Sequence, residues 1–161
     1  MNKIKKIVIY ITSISLWAVC MLAYSDTIKV SDSFVRETIP GTHISSAYMT
    51  IHNTGKAAVT LLSASSPRFP RIEIHEHIMS DGMMSMIKKD SVTIENGVVV
   101  FKPMGLHFMI FDIEAPLRQG DEVILTLHFS DASDVSVKVP VYSIKRKQVK
   151  HDVQHSEHQH H

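Results

Sequence analysis

Within residues 75–109 the chain collects His75, His77, Met79, Met83, Met84, Met86, His107 and Met109, a concentration of imidazoles and thioethers. A thioether is a soft donor that suits Cu(I) and holds Zn²⁺, Ca²⁺ or Mg²⁺ poorly, whereas imidazole accepts copper in either charge state. These residue types point to a copper site of mixed nitrogen and sulfur ligands.

Spacing narrows the choice. Residues i and i+2 of a strand share a face about 7 Å apart, so His107 and Met109 can close on one ion while Phe108 between them turns inward. Pro103 and Gly105 precede the pair and mark a bend or a close backbone approach at a strand entrance. In RIEIHEH, Ile72 and Ile74 take one face, and Glu73, His75 and His77 take the other. A two-residue turn at Asp81-Gly82 would bring Met86 opposite His77 and diagonal to His75. Either histidine can then share an ion with Met86, and strand geometry leaves both open. Met79, Met83 and Met84 read mostly as core packing, or as secondary copper contacts. His43, His52 and His128 lack neighbouring donors in sequence and read as ordinary surface histidines.

The elements that must position these residues are strands. IKVSDSFVRE, AYMTIHNTG, AAVTLLSAS, RIEIHEH, SVTIENGVVVF, LHFMIFDI, EVILTLHF and DVSVKVPVY are short and rich in β-branched residues. Turn signals at Asn53-Thr54-Gly55, Asp81-Gly82, Asn96-Gly97 and Gln119-Gly120-Asp121 separate them. No segment keeps a helical period for long. The pattern predicts an all-β domain over residues 26–143, an antiparallel two-sheet β-sandwich of cupredoxin-like or immunoglobulin-like Greek-key type. In VILTLHF, alternation puts Val123, Leu125, Leu127 and Phe129 on the core face.

Both ends of the chain read differently. Lys3, Lys5 and Lys6 precede a nearly unbroken apolar run over residues 7–22, and Ala23-Tyr24-Ser25 offers small residues for cleavage before Asp26. Residues 1–25 are therefore expected to be a secretory signal. A retained anchor is disfavoured because the run is short for a spanning helix of about 20 residues. A lipid on Cys20 is disfavoured because Trp17-Ala18-Val19 matches such a site poorly. Cys20 is the one cysteine, so a cleaved chain has neither a disulfide nor a thiolate metal ligand. Methionine is the more durable sulfur donor in an oxidising compartment. Losing the three lysines takes the formal charge from +1 to about −2, which gives no basic surface for nucleic acid. No membrane contact beyond the signal is expected. Residues 144–161, with no apolar period and five histidines in the last eleven positions, read as a disordered extension.

The chain resembles the periplasmic copper chaperones of the PCu(A)C family, whose motif is a histidine, ten residues, a methionine, about twenty-one residues, then histidine-x-methionine. His75 is followed after ten residues by Met86, and His107-Phe108-Met109 supplies the remainder. AYMTIHNTG, IHEHIMSDGMMSM, KPMGLHFMIF and PLRQGDEVILTLHFSD also look like segments of that family, so the likeness covers about residues 28–142. The gap from Met86 to His107 is one residue shorter than usual, and Met104 stands where the family usually has glycine. The resemblance implies Cu(I) held by His75, Met86, His107 and Met109, with His77 a neighbour or alternate. It implies a tail site favouring Cu(II) at His151, His155, His158, His160 and His161. It further implies a periplasmic carrier, expected to be a monomer, and an acceptor such as the copper centre of a haem-copper oxidase or a Sco-type protein.

With no thiolate for a blue-copper centre and no credible catalytic constellation, a metallochaperone is expected and not an enzyme. A copper-dependent redox enzyme and a secreted interaction sandwich with packing methionines are the alternatives.

Overall fold

The computed structural model describes residues 27–143 apart from Asp81. The expected signal at residues 1–25, with Cys20, and the tail at 144–161, with its five histidines, lie outside the described residues.

Ten strands make up the domain: β1 (Ile28–Arg36), β2 (Ser45–Asn53), β3 (Val59–Ser65), β4 (Arg71–Ser80), β5 (Met83–Lys89), β6 (Val92–Ile94), β7 (Gly97–Phe101), β8 (Leu106–Phe111), β9 (Glu122–Phe129) and β10 (Asp134–Tyr142). They follow the order β5-β4-β8-β2-β1-β10-β9-β3-β6, with β7 paired to β2 beside β8. The expected all-β class holds, and no helix occurs among the described residues. The expectation of a purely antiparallel arrangement needs one correction: β1 and β10 run parallel where Val35 meets Val141 and Arg36 meets Tyr142. That contact joins the β5-to-β1 layer to the β10-to-β6 layer.

Alternation does most of the sorting. Val123, Leu125, Leu127 and Phe129 are all buried along β9, and they share one core with Val35, Ala47, Ile51, Leu61, Ile74, Ile94 and Ile110. In β8 the inward residues are Leu106, Phe108 and Ile110, and Phe108 stacks on Phe101 with ring centroids 4.5 Å apart. Burying a phenylalanine contributes about 2 kcal/mol. Phe108 therefore pins β8 in a way that turns His107 and Met109 to the opposite face.

Two segments depart from the expected strands. SVTIENGVVVF divides at Glu95-Asn96: β6 pairs with β3 in one layer and β7 with β2 in the other, so the chain changes sheets there. Met83–Lys89 forms a full edge strand, β5, joined to β4 by the expected two-residue turn, since Ser80 pairs with Met83.

Candidate metal centre

Strand register gathers the candidate ligands on the outer face of the β4-β8-β2 layer. His75 lies directly opposite His107, and Glu73 opposite Met109. Across the hairpin Met86 lies opposite His77 and Lys88 opposite His75. Met86 is thus diagonal to His75, as the turn predicted.

The rings of His75 and His107 stand 6.1 Å apart between centroids, tilted by 45°. An imidazole nitrogen bound at about 2 Å puts its ring centroid roughly 3 Å from the metal, so two rings sharing an ion stand up to about 6 Å apart. The pair meets that limit. His77 stacks on His107 at 4.9 Å and 24°, a face-to-face arrangement less suited to pointing two nitrogens at one ion.

Hydrogen bonds fix which nitrogen is left over. Nε2 of His75 lies 2.9 Å from Oε2 of Glu73. A carboxylate can only accept, so Nε2–H donates and Nδ1 carries the lone pair. Nδ1 of His107 donates to the Gly105 carbonyl at 2.9 Å, leaving Nε2 free for a metal. Nδ1 of His75 and Nδ1 of His77 are buried without a hydrogen-bond partner. Buried polar atoms normally find a partner, and a soft cation bound to such a nitrogen would supply one.

Around His75 the support is ionic. Glu73 accepts from His75, meets Lys88 Nζ at 3.2 Å and Arg71 Nη1 at 3.3 Å, and Arg71 also bonds Asp112 at 3.1 Å. These partners, the His75 hydrogen bond first, pull the Glu73 carboxyl down to about 2. The Arg71 guanidinium lies 3.9 Å over the Phe111 ring, which in turn flanks His75. On the other side a row of rings crosses the sheet from Tyr142 through Phe34 and Tyr48 to His107. The hydroxyl of Ser46 donates to the Met109 sulfur at 3.6 Å. Burial pushes the His107 imidazole below its usual value, which favours the neutral, metal-competent ring.

This crowding produces an uneven site. His107, Met109 and His75 are buried at 2%, 8% and 9% exposure, whereas Met86 is 47% exposed. The sequence placed the His107–Met109 pair at a strand entrance, and His107 is indeed the second residue of β8. The walls that cover it come from β2, β4 and Phe111, which local spacing does not reveal. Among the described residues no group of three or more His, Cys, Asp or Glu is arranged to hold a metal.

The turn before His107 explains the departure at Met104. Gly105 N–H donates to the Lys102 carbonyl at 3.1 Å, which makes Lys102 to Gly105 a β-turn with Pro103 and Met104 at its centre. Met104 has φ +62°. Proline followed by a positive φ is the type II pattern, whose third position favours glycine. The Gly105 carbonyl also accepts from the His77 N–H at 3.3 Å.

The expectation that Met79, Met83 and Met84 serve as packing is overturned. They are 68%, 69% and 50% exposed, because the β4–β5 ribbon runs past the end of β8 and has no third strand over it. The remaining histidines among the described residues sit elsewhere, as expected: His43 bonds the Ile113 carbonyl, His52 bonds Ser31, and His128 bonds Ser65 and Asp134. Sequence reasoning assigned no role to Glu73, although its i, i+2 relation to His75 was visible. A larger cleft of about 740 Å³, bordered by Thr38, Ile39, Pro116 and Leu117, contains neither histidine nor methionine, whereas a smaller one of about 130 Å³ reaches Met109.

Residues 28–141 match the family described as "Putative lipoprotein LpqE-like". "Putative lipoprotein Lxx21020" of Leifsonia xyli subsp. xyli is 30% identical over 119 residues, covering 73% of this chain and 70% of that protein. "Uncharacterized protein RP573" of Rickettsia prowazekii is 35% identical over 99 residues, 60% of this chain and 55% of the relative. Among solved structures, the copper-bound PCuAC domain from PmoF2 superposes with a TM-score of 0.62 at 21% identity, covering 73% of this chain and 93% of that one. The solution structure of apo-DR1885 from Deinococcus radiodurans gives 0.58 at 26% identity, with 75% and 82% covered.

Proposed function

The chain belongs to the LpqE-like family, and on that premise we propose that it is a copper chaperone, a carrier and not an enzyme, whose cargo is Cu(I) bound by His75, Met86, His107 and Met109. The observation that carries the reading is the facing His75–His107 pair, in which hydrogen bonds to Glu73 and Gly105 leave one lone pair on each ring for a metal. Met109, two residues from His107, and Met86, diagonal to His75, add the soft donors that favour the reduced ion. Solved PCuAC domains of the same fold include one described as copper-bound, which supports copper as the cargo.

Uneven burial suits a carrier. Three donors are sheltered while Met86 stays open, so an acceptor can replace the exposed thioether first and draw the ion out by successive ligand exchange. The acceptor is a copper-binding protein outside the cytoplasm, such as the copper centre of a haem-copper oxidase or a Sco-type protein. The tail histidines His151, His155, His158, His160 and His161 form a separate nitrogen-only site for Cu(II). Export through residues 1–25 places the carrier in the periplasm. The relatives' lipoprotein description bears on Cys20, and the intact mass of the mature chain separates cleavage before Asp26 from a lipid on Cys20.

The ligand set is tested by titrating residues 26–161 with one equivalent of Cu(I) against a competing chelator, beside His107→Ala and Met109→Ala. Loss of the tight site in both variants is expected. Unchanged binding in both overturns the assignment. A transfer assay against candidate acceptors then tests delivery.

A further inference from the structure

The copper reading accounts for the exposure of Met86 but leaves unexplained why Met79, Met83 and Met84 stand in solvent on the same hairpin. Met79, Met83, Met84 and Met86 are all between 47% and 69% exposed. Exposed apolar side chains scattered singly need no explanation, but a cluster does. Alternation along β4 puts Met79 on the same face as His75 and His77, and pairing puts Met84 opposite Met79 just as Met86 lies opposite His77. The ion pair from Lys88 to Glu73 confirms that this face of β5 is the metal-site face. Met83 and Ile87 occupy the reverse face. The result is a ladder of soft donors along one side of the ribbon. From the tip inward come the rungs Met79–Met84, His77–Met86 and then His75 beside His107.

Directly opposed residues of an antiparallel pair have Cβ atoms about 5 Å apart, and the next rung lies about 7 Å along the strand. Two flexible thioethers at that separation can close on one ion, and Met86 can reach an ion held on either rung. We infer that Met79 and Met84 form a second, thioether-only site for a soft monovalent cation at the tip of the β4–β5 hairpin, which feeds the buried centre through Met86. Sulfur-only coordination selects Cu(I) over Cu(II) and over hard divalent cations. It also stays competent in acid, because thioethers do not bind protons in water. Its solvent exposure makes it weaker and faster to exchange than the sheltered centre. Cargo thus meets the exposed rung first and passes inward. The feeding role rests on the copper reading above, but the tip site stands without it.

The test uses the full chain with methionine methyl groups labelled with ¹³C, titrated with Ag(I) as a redox-inert soft cation. The first equivalent is expected to shift the Met86 and Met109 methyl signals, and the second those of Met79 and Met84. Signals of Met79 and Met84 that stay fixed while two or more equivalents are bound overturn the tip site. Movement of Met79 and Met84 with Met109 unmoved keeps the tip site and instead overturns the central ligand set. The variant Met79→Leu/Met84→Leu alters only exposed positions. It should keep the affinity of the buried centre while slowing its loading from a Cu(I) donor complex by about tenfold or more. Equal loading rates overturn the feeding role.

Discussion

Glu73 and His75 sit two residues apart on β4, with Oε2 of the carboxylate 2.9 Å from Nε2 of the ring. This contact decides which nitrogen of His75 faces the site. Carboxylates behind metal-bound histidines typically contribute 10–100-fold in metal affinity. Glu73→Gln keeps the shape but can present an amide N–H, which favours the wrong tautomer. A fall in Cu(I) affinity of about tenfold is expected, read by chelator competition. Unchanged affinity would show that His75 needs no such fixing.

Burial predicts that the two proposed methionine ligands differ in stability effect. Met109 is 8% exposed and Met86 is 47% exposed. Met109→Ala should destabilise the metal-free protein by about 2 kcal/mol or more, and Met86→Ala by no more than about 0.5 kcal/mol. Urea unfolding separates them. Both variants should nonetheless lose tight Cu(I) binding.

Two groups beside the candidate centre contribute to the acid response of the metal-free domain. The folded carboxyl of Glu73 is lowered from 4.5 to about 2, so its contribution is present above 4.5 and is lost as pH falls toward 2. The folded His107 is lowered from 6.5 by burial, so below 6.5 the unfolded chain takes up a proton that the folded one refuses. Stability should therefore begin to fall below 6.5 and fall again below 4.5. His107→Gln should remove the first step and Glu73→Gln should lessen the second, to which Asp131, held below its usual value by hydrogen bonds with Ser133, also contributes, measured by thermal unfolding against pH. For copper the His107 shift works the other way: its neutral ring persists below 6.5, so proton competition at that ligand starts at lower pH than for a free histidine.

Met104 has φ +62° at the third position of a type II turn. A left-handed backbone costs a side-chain-bearing residue about 1–2 kcal/mol, partly offset by the greater unfolded-state freedom of glycine. Met104→Gly should stabilise the domain by about 0.5–1 kcal/mol. The side chain is exposed, so copper affinity should not change. Urea denaturation and Cu(I) competition read the two effects.

The legible parts of this protein are those that local period controls. Alternation in β8 and β9 sorted inward from outward residues, and Asp81-Gly82 set the register that pairs Met86 with His77. Met83–Lys89 gave no strand signal because all but the last residue is exposed, which leaves no apolar alternation to read. The parallel β1–β10 contact joins segments roughly a hundred residues apart and leaves no local trace. Burial of the centre likewise depends on Tyr48 and Phe111, brought in from an adjacent strand and a strand end. Packing was the wrong reading for Met79, Met83 and Met84 because their ribbon outruns its neighbour, a fact of relative strand length and not of residue type.

One carbonyl, that of Gly105, receives both the His107 ring and the His77 main-chain amide. The clamp is made of peptide rather than side chain at its receiving end. A scan of single substitutions that spares the turn would never remove it, and would credit the aim of His107 to its neighbours. Reshaping the Lys102-to-Gly105 turn itself, or weakening this acceptor by replacing its amide with an ester, would loosen the hold on the imidazole.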